Sequence, residues 1–214
     1  MVASSFSVAA ELASIVNPGV IWWTGARVVG HEARLDPLLS ACEARVRTTP
    51  PADSASVRTM YKRVGLDPTK TRPSNEALLR RVRKGGALPR INSLVDVVNW
   101  CSVEFQLPYG LYDLAQVSGP VTLRIGREGE AYMGIRKDAV HVGGRIAVAD
   151  QVGPFGNPTS DSARTMVTPV TTEALVIVYA PSEIPRPQLE RVLDVTTRRM
   201  ADIVGGHEMS RLVG

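Results

Sequence analysis

The sequence predicts a single α+β domain in which helices flank a mostly antiparallel sheet. Helical periodicity dominates the chain as far as residue 105, strand-like alternation follows, and an amphipathic segment lies near the end. A chain of 214 residues with 44% hydrophobic content can form one sizeable core. Helices that precede a run of strands are typical of α+β architecture.

Periodicity and end signals support each predicted element. Residues 56–65 place Val57, Met60 and Val64 at helical spacing, and Ser74 is the candidate N-cap of a helix that ends at Gly85. Helices are predicted over residues 37–47, 56–65, 74–84, 91–105 and 185–206. Strands are predicted over residues 20–28, 121–125, 130–135, 145–150 and 174–180. Residues 6–16 fit a short helix or a short strand, and the Gly- and Pro-rich residues 107–114 and 152–158 are predicted turns.

The domain organisation is predicted from these elements. Residues 1–54 are expected to supply N-terminal strand and helix elements that pack on a core domain of residues 55–206. Residues 207–214 are expected to form a tail. No internal repeat or low-complexity tract interrupts the chain.

Composition excludes several classes of protein. Lys and Arg number 25 against 21 Asp and Glu, which permits a polyanionic partner without requiring one. No apolar run approaches the ~20 residues that span a bilayer, and the N-terminus lacks the basic region of a signal peptide. The two Cys and three His lack the spacing of a zinc site, so we predict a cytoplasmic protein without metal or cofactor. Serine-hydrolase, P-loop and HExxH motifs do not occur.

The helix predicted over residues 91–105 carries an unusual polar stripe. Asn92, Asp96 and Asn99 share one side of this helix, opposite its apolar face. Asn and Asp are poor residues for the middle of a helix, and a merely solvated face favours Glu, Lys or Arg. The stripe therefore suggests a polar network that fixes neighbouring loops; an ordinary exposed face is the alternative.

The order of short motifs resembles the editing domain in the beta subunit of phenylalanyl-tRNA synthetase, the B3/B4 domain. That family has a helix of the form N-x-x-x-D-x-x-N, then Pro, then a loop that ends in an aromatic residue and Asp. The matching residues here are Asn92, Asp96, Asn99, Pro108, Tyr112 and Asp113. Asp150, a polar Gly-rich loop over residues 153–165 and Thr172 continue the likeness, which covers about residues 55 to 180.

The resemblance implies a free-standing editing protein that hydrolyses misacylated tRNA in trans. The chain departs from the family at Gly110, where the family has a pocket histidine. Asp161 is the candidate substitute for the glutamate with which the family binds the hydroxyl of a tyrosine. These departures leave the recognised amino acid open.

The site residues follow from the resemblance and from the chemistry of the ester. An aminoacyl ester is already activated, so backbone amides and short polar side chains could position it without a covalent nucleophile. Candidate catalytic residues are Asn157, Ser160, Asp161 and Thr165. Candidate pocket residues are Pro108, Tyr109, Gly110, Tyr112, Gly153, Gly156 and Thr159, and candidate supporting residues are Asn92, Asp96, Asn99 and Asp113. The alternative for the loop is a set of backbone caps.

The expected partner is tRNA or aminoacyl-tRNA. Candidate contacts to the tRNA backbone are Arg80, Arg81, Arg83, Lys84 and Arg90, although a basic helix face is also ordinary protein surface. A non-catalytic module that binds aminoacyl-tRNA is one rival hypothesis. An aminoacyl-tRNA-dependent transferase is the other. The sequence predicts no oligomeric state.

Overall fold

A computed structural model describes residues 5–49, 55–136 and 138–214. Its helices are α1 (Leu35–Thr48), α2 (Ala55–Arg63), α3 (Ser74–Arg83), α4 (Ser93–Phe105) and α5 (Arg186–Val204). The first strands are β1 (Phe6–Val8), β2 (Gly19–Thr24), β3 (Tyr109–Asp113), β4 (Val121–Ile125) and β5 (Ala131–Met133). The later strands are β6 (Ala139–His141), β7 (Ile146–Ala149), β8 (Pro154–Gly156), β9 (Glu173–Val178) and β10 (His207–Val213).

The strands form two four-stranded sheets and one hairpin. The first sheet has the order β10-β2-β9-β3 and is antiparallel throughout. The second has the order β1-β4-β7-β8, in which only the β1–β4 pair is parallel. Strands β5 and β6 form the hairpin. The predicted α+β class with a mostly antiparallel sheet is therefore confirmed.

Strand β9 lies at the centre of the hydrophobic core. Its apolar run from Ala174 to Val178 is fully buried, and β2 and β3 pair with its two edges. Helices α4 and α5 pack against each other and against the same sheet. Strands that are covered on both faces have continuous apolar sequences, and β9 has one.

Four segments differ from their predictions. Residues 154–156, predicted to lie in a turn, form β8 and pair with β7. Residues 109–113, predicted to lie in a turn, form β3, because pairing with β9 and burial outweigh their Gly and Pro content. Residues 207–213, predicted to lie in a tail, form β10 and pair with β2. Ser74 does not cap α3, since Pro73 occupies the N-cap position and no side chain caps the helix.

No helix among the described residues has both the length and the apolar character needed to cross a membrane.

Candidate functional site

A cavity of about 200 Å³ lies between α3, α4, β3 and the loop that follows β8. Helix α3 contributes Ser74 and Leu78, and β3 contributes Tyr109 and Leu111. The other lining residues are Ile91, Val95, Val98, Asn99, Ser102, Ile135, Thr159, Ser160, Asp161, Met166 and Val167. Five separate parts of the chain therefore close around one space, the fifth being Ile135 after β5.

The cavity walls are predominantly apolar, and so is their outer rim. Ile91 is 58% exposed, Ile135 49% and Met166 38%, and all three line the cavity. Large apolar side chains that remain exposed around a concave site are typical of ligand-binding surfaces. The entrance therefore favours an apolar group on the ligand.

Two buried polar atoms at this cavity lack a hydrogen-bond partner among the described residues: Asp161 Oδ1 and Ser74 Oγ. Leaving a buried polar group unsatisfied costs roughly 1–3 kcal/mol, so folded proteins rarely retain such groups without a reason. The amide of Asn99 also lines the cavity. Together these groups could bind the polar part of a ligand whose remainder is apolar.

The carboxyl of Asp161 has an altered acidity. Burial raises the pKa of Asp161 from 3.8 to about 7, and the nearby Tyr112 hydroxyl and a long hydrogen bond of 3.4 Å from the Leu111 amide to Oδ2 oppose this increase. Asp161 as a residue is partly exposed, but its Oδ1 is shielded from solvent. Because the protonated and ionised forms are close in energy near neutral pH, this group can accept or return a proton there.

Asn157 shapes the loop that carries Asp161. Its Oδ1 accepts hydrogen bonds from the amides of Thr159 at 2.7 Å and Ser160 at 2.9 Å, and its Nδ2 donates to the hydroxyl of Tyr132 at 2.9 Å. The two amides are thereby engaged within the loop, contrary to the expectation that loop amides receive an oxyanion. Asn157 lies outside the cavity lining and is buried.

Thr165 also lies away from the cavity. Its hydroxyl contacts the Ser162 hydroxyl at 2.8 Å, and both residues are buried. Gly153 lies beside Asp150, whose carboxylate accepts its amide at 3.2 Å. Of the candidate catalytic residues, Ser160 and Asp161 therefore reach the cavity, whereas Asn157 and Thr165 hold the loop.

Tyr112 explains why glycine occupies two candidate pocket positions. A Cβ added at Gly110 or Gly156 would overlap the Tyr112 hydroxyl, and each would lie within 2.7 Å of its Cζ. The same hydroxyl contacts the Tyr179 hydroxyl at 2.7 Å. Gly110 therefore accommodates a buried tyrosine in this chain, and neither glycine nor Tyr112 lines the cavity. Pro108 is also absent from the lining, and its carbonyl accepts from the Tyr179 amide.

The polar stripe of α4 fixes segments around the cavity. Asn92 caps the helix by accepting from the Val95 amide at 3.0 Å, and its Nδ2 donates to the Val167 carbonyl at 3.3 Å. Asp96 accepts from the Ile91 amide at 2.8 Å and from Arg90 Nε at 2.9 Å.

Asp113 performs a similar role at the end of β3. Its carboxylate accepts from the Ala115 amide at 3.0 Å and from the Thr171 hydroxyl at 2.7 Å. Asn99, by contrast, reaches the cavity itself. The predicted supporting residues are thus divided between three that tie segments together and one that lines the space.

A family comparison identifies this architecture. The model of the B3/4 domain family matches residues 56–194. The chain belongs to the B3/4 domain family. The resemblance inferred from the sequence motifs is therefore confirmed.

Known relatives of this B3/4 domain are much longer. The chain is 31% identical over 86 residues to the phenylalanine–tRNA ligase beta subunits of Brucella abortus (strain 2308), Brucella suis and Brucella melitensis. The match covers 40% of this chain but 11% of each relative. The structure also resembles an N-terminal fragment of the phenylalanyl-tRNA synthetase beta subunit from Pyrococcus horikoshii, with a TM-score of 0.51 and 13% identity. That match covers 95% of this chain and 50% of the fragment, and it shows a shared fold.

The basic residues of this B3/4 domain have two kinds of surroundings. Arg90 pairs with Asp36 and Asp96, and Arg81 Nε donates to the Ala87 carbonyl at 2.6 Å. Arg80, Arg83 and Lys84 instead line an open groove on the surface. Within the described ranges, no group of three or more His, Cys, Asp or Glu side chains could hold a metal ion.

Removal of the Asp96 carboxylate should destabilise the B3/4 domain. Asp96→Ala leaves the Ile91 amide and the Arg90 guanidinium without their acceptor, which should lower the free energy of unfolding by about 1–3 kcal/mol. Urea denaturation would measure the change. Asp138→Ala, at an exposed aspartate, is the control, and equal stability of the two variants would contradict the proposed supporting role.

Proposed function

We propose that this B3/4 domain hydrolyses misacylated tRNA in trans, with the amino acid side chain bound in the cavity beside Asp161. The observation that carries the proposal is a buried carboxyl oxygen without a partner among the described residues, in a predominantly apolar cavity. Such a site suits a ligand that joins an apolar side chain to polar and reacting groups. The relatives named as phenylalanine–tRNA ligase beta subunits make aminoacyl-tRNA the favoured source of that ligand.

The size of the cavity supports an amino acid as the bound group. A dry protein cavity of about 150 Å³ accepts benzene, so about 200 Å³ is sufficient for a ring-sized or branched side chain. The apolar rim at Ile91, Ile135 and Met166 would contact the rest of the terminal adenosine. Ser74 and Asn99 would bind polar groups of the amino acid, and the unmet hydrogen bond of the Ser74 hydroxyl would help to select among side chains.

Asp161 would act as the general base. Its carboxylate takes a proton from water as the water oxygen bonds to the ester carbonyl carbon. The bond between that carbon and the ribose oxygen then breaks, and the ribose oxygen receives the proton from the Asp161 carboxyl, which regenerates the base. The products are the free amino acid and tRNA with a free 3′ end. A pKa of about 7 suits a base that works near neutral pH.

A panel of tRNAs charged with different wrong amino acids would test the proposal directly. At least one should lose its amino acid faster with the wild-type protein than in buffer, and the rate should increase with pH up to about 7 as Asp161 ionises. The measurement is release of radiolabelled amino acid. If every mischarged tRNA in a broad panel remains intact, the hydrolase proposal fails.

The same panel separates the rival functions. A non-catalytic module would bind mischarged tRNA without turnover. A transferase would move the aminoacyl group only when an acceptor is supplied. The proposed setting in either case is the cytoplasm.

A further inference from the structure

A second concave surface lies on a side of α3 next to the one that lines the cavity. It is a groove of about 380 Å³ lined by Arg58, Arg72, Glu76, Leu79, Arg80, Arg83 and Lys84. Ser74 and Leu78, four residues apart, face the cavity, whereas Leu79, Arg80 and Arg83 share the neighbouring side of the helix. One helix therefore separates an apolar site from a basic one.

The groove has a large excess of positive charge. Five cationic side chains line it, and Glu76 is its one carboxylate. Glu76 forms a two-pronged ion pair with Arg58, at 2.7 Å to Nε and 2.6 Å to Nη2, which neutralises its charge. The side chains of Arg72, Arg80 and Lys84 have no hydrogen bond or ion pair with any described residue. The groove thus presents three cations that no described residue pairs.

We infer that this basic groove, defined by Arg58, Arg72, Arg80, Arg83 and Lys84, is a binding site for RNA backbone phosphates. The planar guanidinium group binds phosphate oxygens in pairs, and four of the five cations are arginines. Backbone phosphates are charges at regular spacing, which a row of cations along a helix face can contact together. The choice of RNA over an acidic polypeptide rests on the proposed function. The anionic character of the ligand rests on the cations of the groove alone.

The test is the salt dependence of binding to uncharged tRNA. Each phosphate contact contributes roughly 0.7 to 0.9 to the slope of log affinity against log salt. The double variant Arg80→Gln with Lys84→Gln should therefore reduce that slope by about 1.4 to 1.8 and weaken binding roughly 30-fold at ~0.1 M salt. Fluorescence anisotropy between about 50 and 200 mM salt measures both quantities.

Two controls make the result specific. Arg198→Gln removes an exposed arginine of α5, far from α3 in sequence, and should leave the slope and affinity unchanged. Cations in the last turn also stabilise a helix, so the unfolding of each variant is measured in parallel. Equal binding by the double variant and the wild-type protein would overturn the inference, as would binding of polyglutamate with no binding of tRNA.

The experiments distinguish a failure of the RNA-binding inference from a failure of the proposed hydrolysis. An amino acid esterified to adenosine alone has no backbone phosphate, so the double variant should cleave it at the wild-type rate. Uncharged tRNA has no ester, so its binding reports on the groove without any turnover. Loss of tRNA binding in the double variant supports RNA binding by the groove even if no ester is cleaved. Unchanged tRNA binding in the double variant contradicts RNA binding by the groove even if hydrolysis is found.

Discussion

Replacing Gly110 with alanine is expected to destabilise the protein by about 3 kcal/mol or more. The added Cβ would overlap the Tyr112 hydroxyl and lie 2.7 Å from Cζ of the same ring. Tyr112 cannot move aside easily, because it is fully buried and its ring packs edge-on against Phe155 at 4.8 Å between centroids. Overpacking of a well-packed core typically costs 1–3 kcal/mol and occasionally more. Urea or thermal denaturation would measure the loss.

Two further variants show whether the clash with the Tyr112 side chain causes the loss of stability. Gly30→Ala is the control, because a Cβ there meets no atom within 4 Å, and its stability should match the wild type. Adding Tyr112→Phe to Gly110→Ala removes the closest atom and should recover part of the loss. The two substitutions should therefore be non-additive in a double-mutant cycle. A Gly110→Ala protein as stable as the wild type would show that Tyr112 does not occupy this space.

The Asp161→Asn variant should be more stable than the wild type above pH 7 but almost inactive. Asparagine keeps the shape of the side chain and removes the buried charge. The change of pKa from 3.8 to about 7 corresponds to up to about 4 kcal/mol. Because the buried amide is also unsatisfied, we expect a net gain of about 1 to 3 kcal/mol at pH 8. Loss of a general base should reduce deacylation roughly 10²- to 10⁴-fold.

The pH dependence of this gain has a definite sign. The folded protein holds the Asp161 proton up to about pH 7, whereas the unfolded chain loses it near pH 3.8. The contribution of protonated Asp161 to the free energy of unfolding is therefore present in full below about pH 4, and it is lost as the pH increases to 7. The advantage of Asp161→Asn should disappear as the pH falls from 7 towards 4. Asp138→Asn, at an exposed site, is the control for the substitution itself. A variant less stable than the wild type at pH 8 would mean that Asp161 is ionised and well stabilised in the fold.

The helices were more predictable from the sequence than the short strands. The predicted helix over residues 91–105 corresponds to α4, Ser93–Phe105, because its apolar face and the cap at Asn92 are local signals. Strand β3 has no such signal. Its glycine and the preceding proline are typical of turns, and only pairing with β9 makes this segment a strand.

The candidate site was only partly predictable for a related reason. Tyr109, Thr159, Ser160, Asp161 and Asn99 were proposed as site residues and line the cavity. Ser74, Leu78 and Met166 also line it but were not proposed, since nothing local distinguishes them from capping or core residues. Their convergence depends on how α3 and α4 pack, which is a tertiary property. Glycine at position 110 indicated a changed pocket, but in the structure the close approach of the Tyr112 side chain is what requires a glycine there.

The most direct measurement is the binding of a non-hydrolysable amide analogue of aminoacyl-adenosine to the wild-type protein and to Leu78→Trp. Leu78 lines the cavity, and tryptophan there would fill it. Leu79→Trp on the same helix is the control, because Leu79 faces the basic groove instead. The proposal predicts that the wild type and Leu79→Trp bind the analogue while Leu78→Trp does not. Equal binding by all three proteins would contradict it, because the analogue would then bind outside the cavity.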